Sequence, residues 1–449
     1  MASVRPAAVA GMFYPRDARA LGAELEDLLG DVAHFAPRLG FPKALVVPHA
    51  GYVYSGPVAA RAYDELGPAR DIVRRVVLLG PVHRVPVRGL AVPTCDAFET
   101  PLGRVPIDRA AVQAAQALPQ VVRSDSAHAM EHSLEVQLPF LQKLLGEFSL
   151  VPFAVGTASV DEVAQLLEHL WGGPETLVVI STDLSHYHSY DEARRIDGET
   201  LARIAGYACD IDHEEACGAT PLNGLLALAK KKNVPIKLLA ACNSGDTAGG
   251  KGQVVGYSSF ALYENSGVSL DVAGRVLLGV ARGAIESRLS GAEHSLAQDP
   301  WLNQAGASFV TLRKSGALRG CIGSLDALRA LGADVAENAV GAAFRDPRFP
   351  ALASDEWPQC RVEVSLLSRP KPLRFADEAD LLEQVVAGED GLILEAQGRR
   401  ATFLPQVWES VPEPRAFLDE LIRKAGLPAD TRLARCKISR YRVVKFDER

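Results

Sequence analysis

Apolar residues in the first half of the chain follow two rhythms. The runs Ala44-Leu45-Val46-Val47, Val76-Val77-Leu78-Leu79 and Leu177-Val178-Val179-Ile180 are short and unbroken. They lack the polar alternation of a half-exposed strand and read as buried parallel strands. Between and beyond them, apolar positions recur every three or four residues over 18–29, 58–66, 110–117, 134–145, 160–170, 191–204 and 222–229. Strands alternating with helices predict βαβ units, hence an α/β domain with a mainly parallel sheet. After residue 270 the pattern changes. Helical spacing covers 270–289, 325–344, 379–387 and 415–425, and strand candidates lie at 308–312, 361–367, 391–395, 400–404 and 437–444. Several of these strands alternate polar with apolar, as antiparallel strands do, so this part is expected to be α+β. At 449 residues the chain exceeds what one core usually organises. The expected domains are 1–264 and 268–449, joined near Glu264-Asn265-Ser266-Gly267.

Each apolar run in the first half stops on a histidine. The first ends at Pro48-His49, the second at Pro81-Val82-His83, and the third at Ser181-Thr182-Asp183-Leu184-Ser185-His186. Ligands of open α/β sheets bind at the carboxyl ends of the strands. His49, His83, Asp183 and His186 are therefore expected in one crevice, as a metal or acid–base site. Cys217 precedes a helical pattern with Thr220 as its expected cap and Pro221 at its first position. The positive end of that helix would favour a thiolate, and thiolate with imidazole suits Zn, Fe or Cu over Mg or Ca. Glu131-His132-Ser133-Leu134-Glu135 opens another helical pattern, which puts Glu131 and Glu135 on one face and His132 beside them as an acid–base group. Blander readings compete: Cys217 as a small buried residue, Asp183 as the cap of a turn. His34, His128, His169, His188, His213 and His294 read as surface or hydrogen-bonded core residues.

Composition narrows the field. Charged residues make up 23% and the formal net charge is -7, which leaves no basic footprint for nucleic acid. No apolar leader follows Met1, and no run is long enough to span a bilayer, so a cytoplasmic protein without a membrane partner is expected. The seven cysteines are scattered and form no CxxC, which argues against a disulfide framework or zinc ribbon. A hydrolase is not expected either, since neither GxSxG nor HExxH occurs.

Five segments carry a resemblance: 48–56 (Pro48-His49-Ala50-Gly51-Tyr52), 79–83, 131–140 (Glu131-His132-Ser133-Leu134-Glu135), 181–186 and Cys217-Gly218. In this order they resemble the Memo family over about 4–263. The resemblance implies a fold similar to class III extradiol ring-cleavage dioxygenases, which hold non-haem Fe(II) with two histidines and a carboxylate. In Memo the implied ligands are two histidines and a cysteine, matching His49, His83 and Cys217, with Asp183 and His186 nearby.

Later in the chain, glycines flank Cys321 in Arg319-Gly320-Cys321-Ile322-Gly323. They are expected to form a tight turn that leaves the sulfur approachable as a nucleophile, with Arg319 favouring its thiolate. A small residue in a buried turn is the competing reading. This segment, with 344–350, 364–368 and 399–405, resembles the AMMECR family over about 268–448; that resemblance supplies no reaction. The two together resemble proteins of AmmeMemoRadiSam systems, where a separate radical S-adenosylmethionine protein accompanies them. This chain has no CxxxCxxC and is not that enzyme. The expectation is a mononuclear metal-dependent redox protein acting on a small molecule or peptide. Fe(II) is the first choice, Cu or Zn the others. His186 or His132 would be the acid–base group, and Asp183 would orient a ligand or substrate. The alternative is a non-catalytic metal-binding or peptide-binding adaptor.

Overall fold

The computed structural model describes residues 3–30, 41–70, 72–264, 270–291 and 299–448. Those up to 264 belong to one compact unit and those from 270 to a second. His34, His294 and the expected join at 265–267 lie outside the described residues.

The first unit is built on a nine-stranded sheet. Its centre is four parallel strands in the spatial order Ala44–Val47, Thr176–Ser181, Arg75–Pro81 and Ser149–Val155. Nearly every residue of these strands is buried, the environment that unbroken apolar runs require. The sheet as a whole is mixed, which corrects the expectation of a mainly parallel one. Val254–Leu262 runs antiparallel to Ala44–Val47, Ile236–Asn243 and His186–His188, and Leu90–Val92 runs antiparallel to Ser149–Val155. The connection 244–253 between Ile236–Asn243 and Val254–Leu262 holds only a short 3-10 turn. It has no room for the crossover that a parallel pair needs.

The helical patterns at 18–29 and 160–170 appear as Ala18–Gly30 and Val160–Leu170, the latter started by a capping box between Ser159 and Glu162. The pattern at 134–145 starts later than expected. Glu135–Gln137 is a 3-10 turn and the helix is Leu138–Leu144, with Pro139 in its first turn, where a missing N–H does least harm. Glu131 and His132 therefore lie in a loop and share no helix face with Glu135.

The second unit contains two four-stranded antiparallel sheets. One orders Ala317–Gly323, Ser308–Lys314, Cys360–Leu367 and Val443–Asp447, and the other Lys371–Pro372, Lys437–Tyr441, Gly391–Ala396 and Arg399–Phe403. Helices Leu270–Ser290 and Leu331–Phe344 supply Leu277 and Val335 to a core with Val310 and Val364. The strand expected over 437–444 is divided at Arg442 between the two sheets. Cys321 does not sit in a tight turn. It lies within Ala317–Gly323, and its flanking glycines serve close packing: a Cβ on Gly320 would lie 2.1 Å from the Ala342 carbonyl oxygen, and one on Gly323 2.2 Å from the Phe309 ring. Among the described residues, no helix is long and apolar enough to cross a membrane.

Candidate metal centre

His49, His83 and Asp183 each stand two residues past the end of a central strand, after Val47, Pro81 and Ser181. Those three strands are neighbours and parallel, so their carboxyl ends coincide. A third imidazole joins from the loop before Glu135–Gln137. Donor atoms of His49, His83 and His132 all lie within 4.8 Å of one another. Their ring centroids are 5.2, 5.4 and 4.6 Å apart.

The hydrogen bonds around the rings assign their tautomers. Ser181 Oγ donates its single proton to the Ser133 carbonyl at 2.7 Å and accepts from Gln137 Nε2 at 2.9 Å. His49 Nδ1, 2.9 Å from the same Oγ, must then be the donor, which leaves Nε2 with a lone pair. His83 Nδ1 lies 2.9 Å from Glu131 Oε1, and the His83 backbone N–H donates to Oε2 at 2.6 Å. Glu131 Oε1 also accepts the backbone N–H groups of His132 and Ser133, at 2.9 Å each. Burial would raise the Glu131 carboxyl, but the hydrogen bond and charge of His83, with these N–H donors, hold it down at about 2. An ionised Glu131 can only accept, so His83 Nδ1 is the donor and Nε2 is the ring nitrogen that Glu131 leaves free. Burial, then the neighbouring imidazoles, push His49 well below its ordinary value. Burial likewise takes His132 down to about 4.

Cys217 and Asp183 complete one side. Cys217 Sγ is 3.4 Å from His49 Nε2 and accepts the Asp183 backbone N–H at 3.3 Å. Asp183 Oδ1 accepts the His49 backbone N–H at 2.7 Å, and Oδ2 lies 3.8 Å from His49 Nε2. Burial raises the Asp183 carboxyl to about 7. The thiol is not the dipole-favoured thiolate expected from sequence. Burial and the nearby Asp183 carboxyl push it up to about 12. The helix begins two residues earlier than Thr220 would make it, at Ala219 with Gly218 as cap, and Thr220 instead contacts His213 Nε2 at 3.1 Å. His186 opens the strand His186–His188, half-buried, with its pKa lowered by burial. It is within electrostatic range of His49. Cys321 belongs to the second unit.

The donor set fits a metal ion. His49 and His83 each have Nδ1 held by a second residue, which turns Nε2 toward an ion, and His49 Nε2 lies 3.4 Å from Cys217 Sγ, a second donor for the same ion. His132 Nδ1 is buried without a hydrogen-bond partner. Nitrogen donors with a neighbouring sulfur suit Zn, Fe or Cu rather than Mg or Ca. Sequence reasoning did not assign Glu131, Ser181 and Gln137 their part in holding the rings. The available signal was a carboxylate directly before His132, and a polar strand-ending residue before Thr182-Asp183.

Residues 5–261 match the family model described as Memo-like protein. The chain belongs to the Memo family. Residues 278–446 match the AMMECR1 family model, so the two domains occur here in fusion. A MEMO1 family protein of Aquifex aeolicus is 35% identical over 270 residues, covering 57% of this chain and 97% of its own length. One from Ignicoccus hospitalis is 38% identical over 280 residues, with the same shares. Among solved structures, an uncharacterized protein from Pyrococcus horikoshii shows 34% sequence identity and a TM-score of 0.37, covering 39% of this chain and 91% of its own.

Proposed function

We propose that the first unit binds one transition-metal ion on His49, His83 and His132, with Cys217 as a further donor, and performs redox chemistry on a small molecule or peptide. The observation that carries this reading is the convergence of three imidazole donors within 4.8 Å at the carboxyl ends of parallel strands. Iron is the first choice of metal, with copper or zinc the alternatives, in keeping with the resemblance to class III extradiol dioxygenases. Such an ion would supply Lewis acidity and, for iron or copper, electron transfer to a bound substrate. The chain's own groups do the rest. Glu131 and Ser181 fix the rings, and His186, outside the cluster, gives or takes a proton. Asp183, hydrogen-bonded to the His49 backbone N–H, orients a ligand or substrate beside the cluster. The fusion to an AMMECR1 domain supports work alongside a separate radical S-adenosylmethionine protein. We take 1–264 and 268–449 as separately folding domains, and soluble expression of each half tests that division.

A peptide-binding adaptor is the second reading. Met12 and Tyr187, 69% and 70% exposed, adjoin Phe13 and His186, and Phe13 packs on His132 with centroids 4.7 Å apart. Metal analysis of anaerobically purified protein, followed by oxygen uptake with Fe(II) and catechol-like or aminophenol-like compounds, separates the two. The redox reading expects bound metal and uptake, with His186→Ala keeping the metal and losing turnover. Metal-free protein, or loaded protein without uptake on any such compound, favours the adaptor.

A further inference from the structure

Cys321 on the second unit lies opposite Thr311 in the antiparallel pair with Ser308–Lys314, and Thr311 Oγ1 donates to its Sγ at 3.3 Å. The residue is partly exposed. The strand bulges just before it: Leu312 pairs with Gly320 and Arg313 with Leu318, which leaves Arg319 without a register partner. Bulges of this kind re-aim side chains. The loop after Leu331–Phe344 returns to the same place. Asp346 Oδ2 accepts the Cys321 backbone N–H at 2.8 Å, and Arg348 Nη2 donates to the Cys321 carbonyl at 3.2 Å. Lys424, the last residue of the helix Pro414–Lys424, is within electrostatic range of both Cys321 and Arg348.

Cations outnumber carboxylates here. Asp346 pairs with Arg348 at 2.7 Å, and Glu356 is shared between Arg319 at 2.8 Å and Lys314 at 3.1 Å. Lys424 Nζ donates to the Thr402 carbonyl at 2.9 Å, and among the described residues no carboxylate lies within ion-pair distance of it. The guanidinium carbons of Arg319 and Arg348 meet at the Phe349 ring, 5.8 and 5.6 Å from its centroid. Arg319 is only 7% exposed, and its Nη1 is buried without a hydrogen-bond partner. A buried guanidinium N–H without an acceptor is unfavourable, and an oxyanion would supply one.

We propose that this cluster is a binding site for a small carboxylate bearing an electrophilic carbon, its anionic group held by Arg348 and Lys424 with Arg319 behind them, and its carbon presented to the Cys321 thiol. Confinement between two cations raises the local concentration of an anionic reagent over a neutral one of the same size.

Iodoacetate and iodoacetamide differ in that charge. With either, an Sγ–CH2 bond forms as the C–I bond breaks, iodide leaves with the electron pair, and the thiol proton passes to solvent. Labelling of the full chain is followed by peptide mass spectrometry, which reads each cysteine separately. The iodoacetate-to-iodoacetamide rate ratio is expected to be roughly tenfold higher at Cys321 than at Cys209 of the same molecules. Lys424→Met should bring the ratio at Cys321 down to that of Cys209, and inorganic phosphate should slow iodoacetate at Cys321 in the parent but not in this variant. Using a ratio cancels any change in thiolate fraction. Equal ratios at the two cysteines, a ratio unmoved by Lys424→Met, or no labelling of Cys321 by either reagent overturns the proposal.

Discussion

Glu131 holds His83 twice, through the backbone N–H at 2.6 Å and through Nδ1 at 2.9 Å. One carboxylate thus fixes both the position and the Nδ1 proton of a ring whose centroid lies 5.2 and 4.6 Å from those of two other imidazoles. Carboxylates in this role raise the basicity of the imidazole they bind. Glu131→Gln keeps the size but removes the charge. It should weaken metal binding about 10- to 100-fold, read by competition with a chelator, while His83→Ala should weaken it further. Unchanged affinity in Glu131→Gln would mean that His83 is not a ligand, or is oriented by the loop alone.

His132 and Cys217 are competing candidates for the third ligand of the proposed ion. His132 shares the donor cluster with His49 and His83, whereas Cys217 touches His49 Nε2 from beside Asp183. If the imidazoles form the primary set, His132→Ala should lose metal to about the extent of His83→Ala. Cys217→Ser should then lower affinity less and shift preference away from softer ions. Metal content of the three variants, loaded in parallel with zinc and iron, decides it. Loss in Cys217→Ser with full retention in His132→Ala would return the ligand set to His49, His83 and Cys217.

The placement of His49, His83 and Asp183 was legible because unbroken apolar runs identify parallel strands, and strand ends identify the crevice. The margins were not. The short connection 244–253 makes Val254–Leu262 antiparallel to Ile236–Asn243, but Ile236–Asn243 was not picked out as a strand from the sequence. His132 was read on a helix face because 134–145 has helical spacing, yet Pro139 delays the helix until Leu138. His132, expected as an acid–base group beside that face, instead lies in the loop with its ring 5.4 and 4.6 Å from those of His49 and His83. Cys217 was read as a thiolate from its place before a helix. Burial outweighs the dipole there in the absence of a cation. The glycines around Cys321 signalled a special backbone, and the reason proved to be contact with Ala342 and Phe309 rather than a turn.

His128 predicts how the fold responds to acid. Burial, with Arg5 opposing protonation further, takes it down to about 4 despite the Nε2 contact with the Ala91 carbonyl at 2.9 Å. In the unfolded chain it would titrate near 6.5. The unfolded state therefore binds a proton first as pH falls, so stability is full above about 6.5 and declines between about 6.5 and 4. The loss from this residue alone is on the order of 3 kcal/mol. His128→Gln should start less stable at pH 7 and show a flatter decline over that window, measured by urea unfolding at several pH values. Parallel declines in the two proteins would assign the acid sensitivity elsewhere.

Gly218 offers a way to move Cys217 without touching its sulfur. Gly218 caps the helix Ala219–Lys232 and packs against the end of the strand Thr176–Ser181. A Cβ placed there would lie 2.6 Å from Thr182 Cβ and 2.7 Å from the Ser181 carbonyl oxygen. Its φ of -91° suits any residue, so the obstacle is contact and not backbone strain. Gly218→Ala must push the start of the helix off the strand, at about 1–3 kcal/mol. That shift should carry Cys217 away from His49 and Asp183. The expected result is a lower Tm together with weaker metal binding, and the same fall in Tm in the Cys217→Ser background. Should affinity fall in Gly218→Ala but show no further change when Cys217→Ser is added, the two substitutions act on one contact. If affinity is untouched while Tm drops, Cys217 serves packing and takes no part in holding the metal.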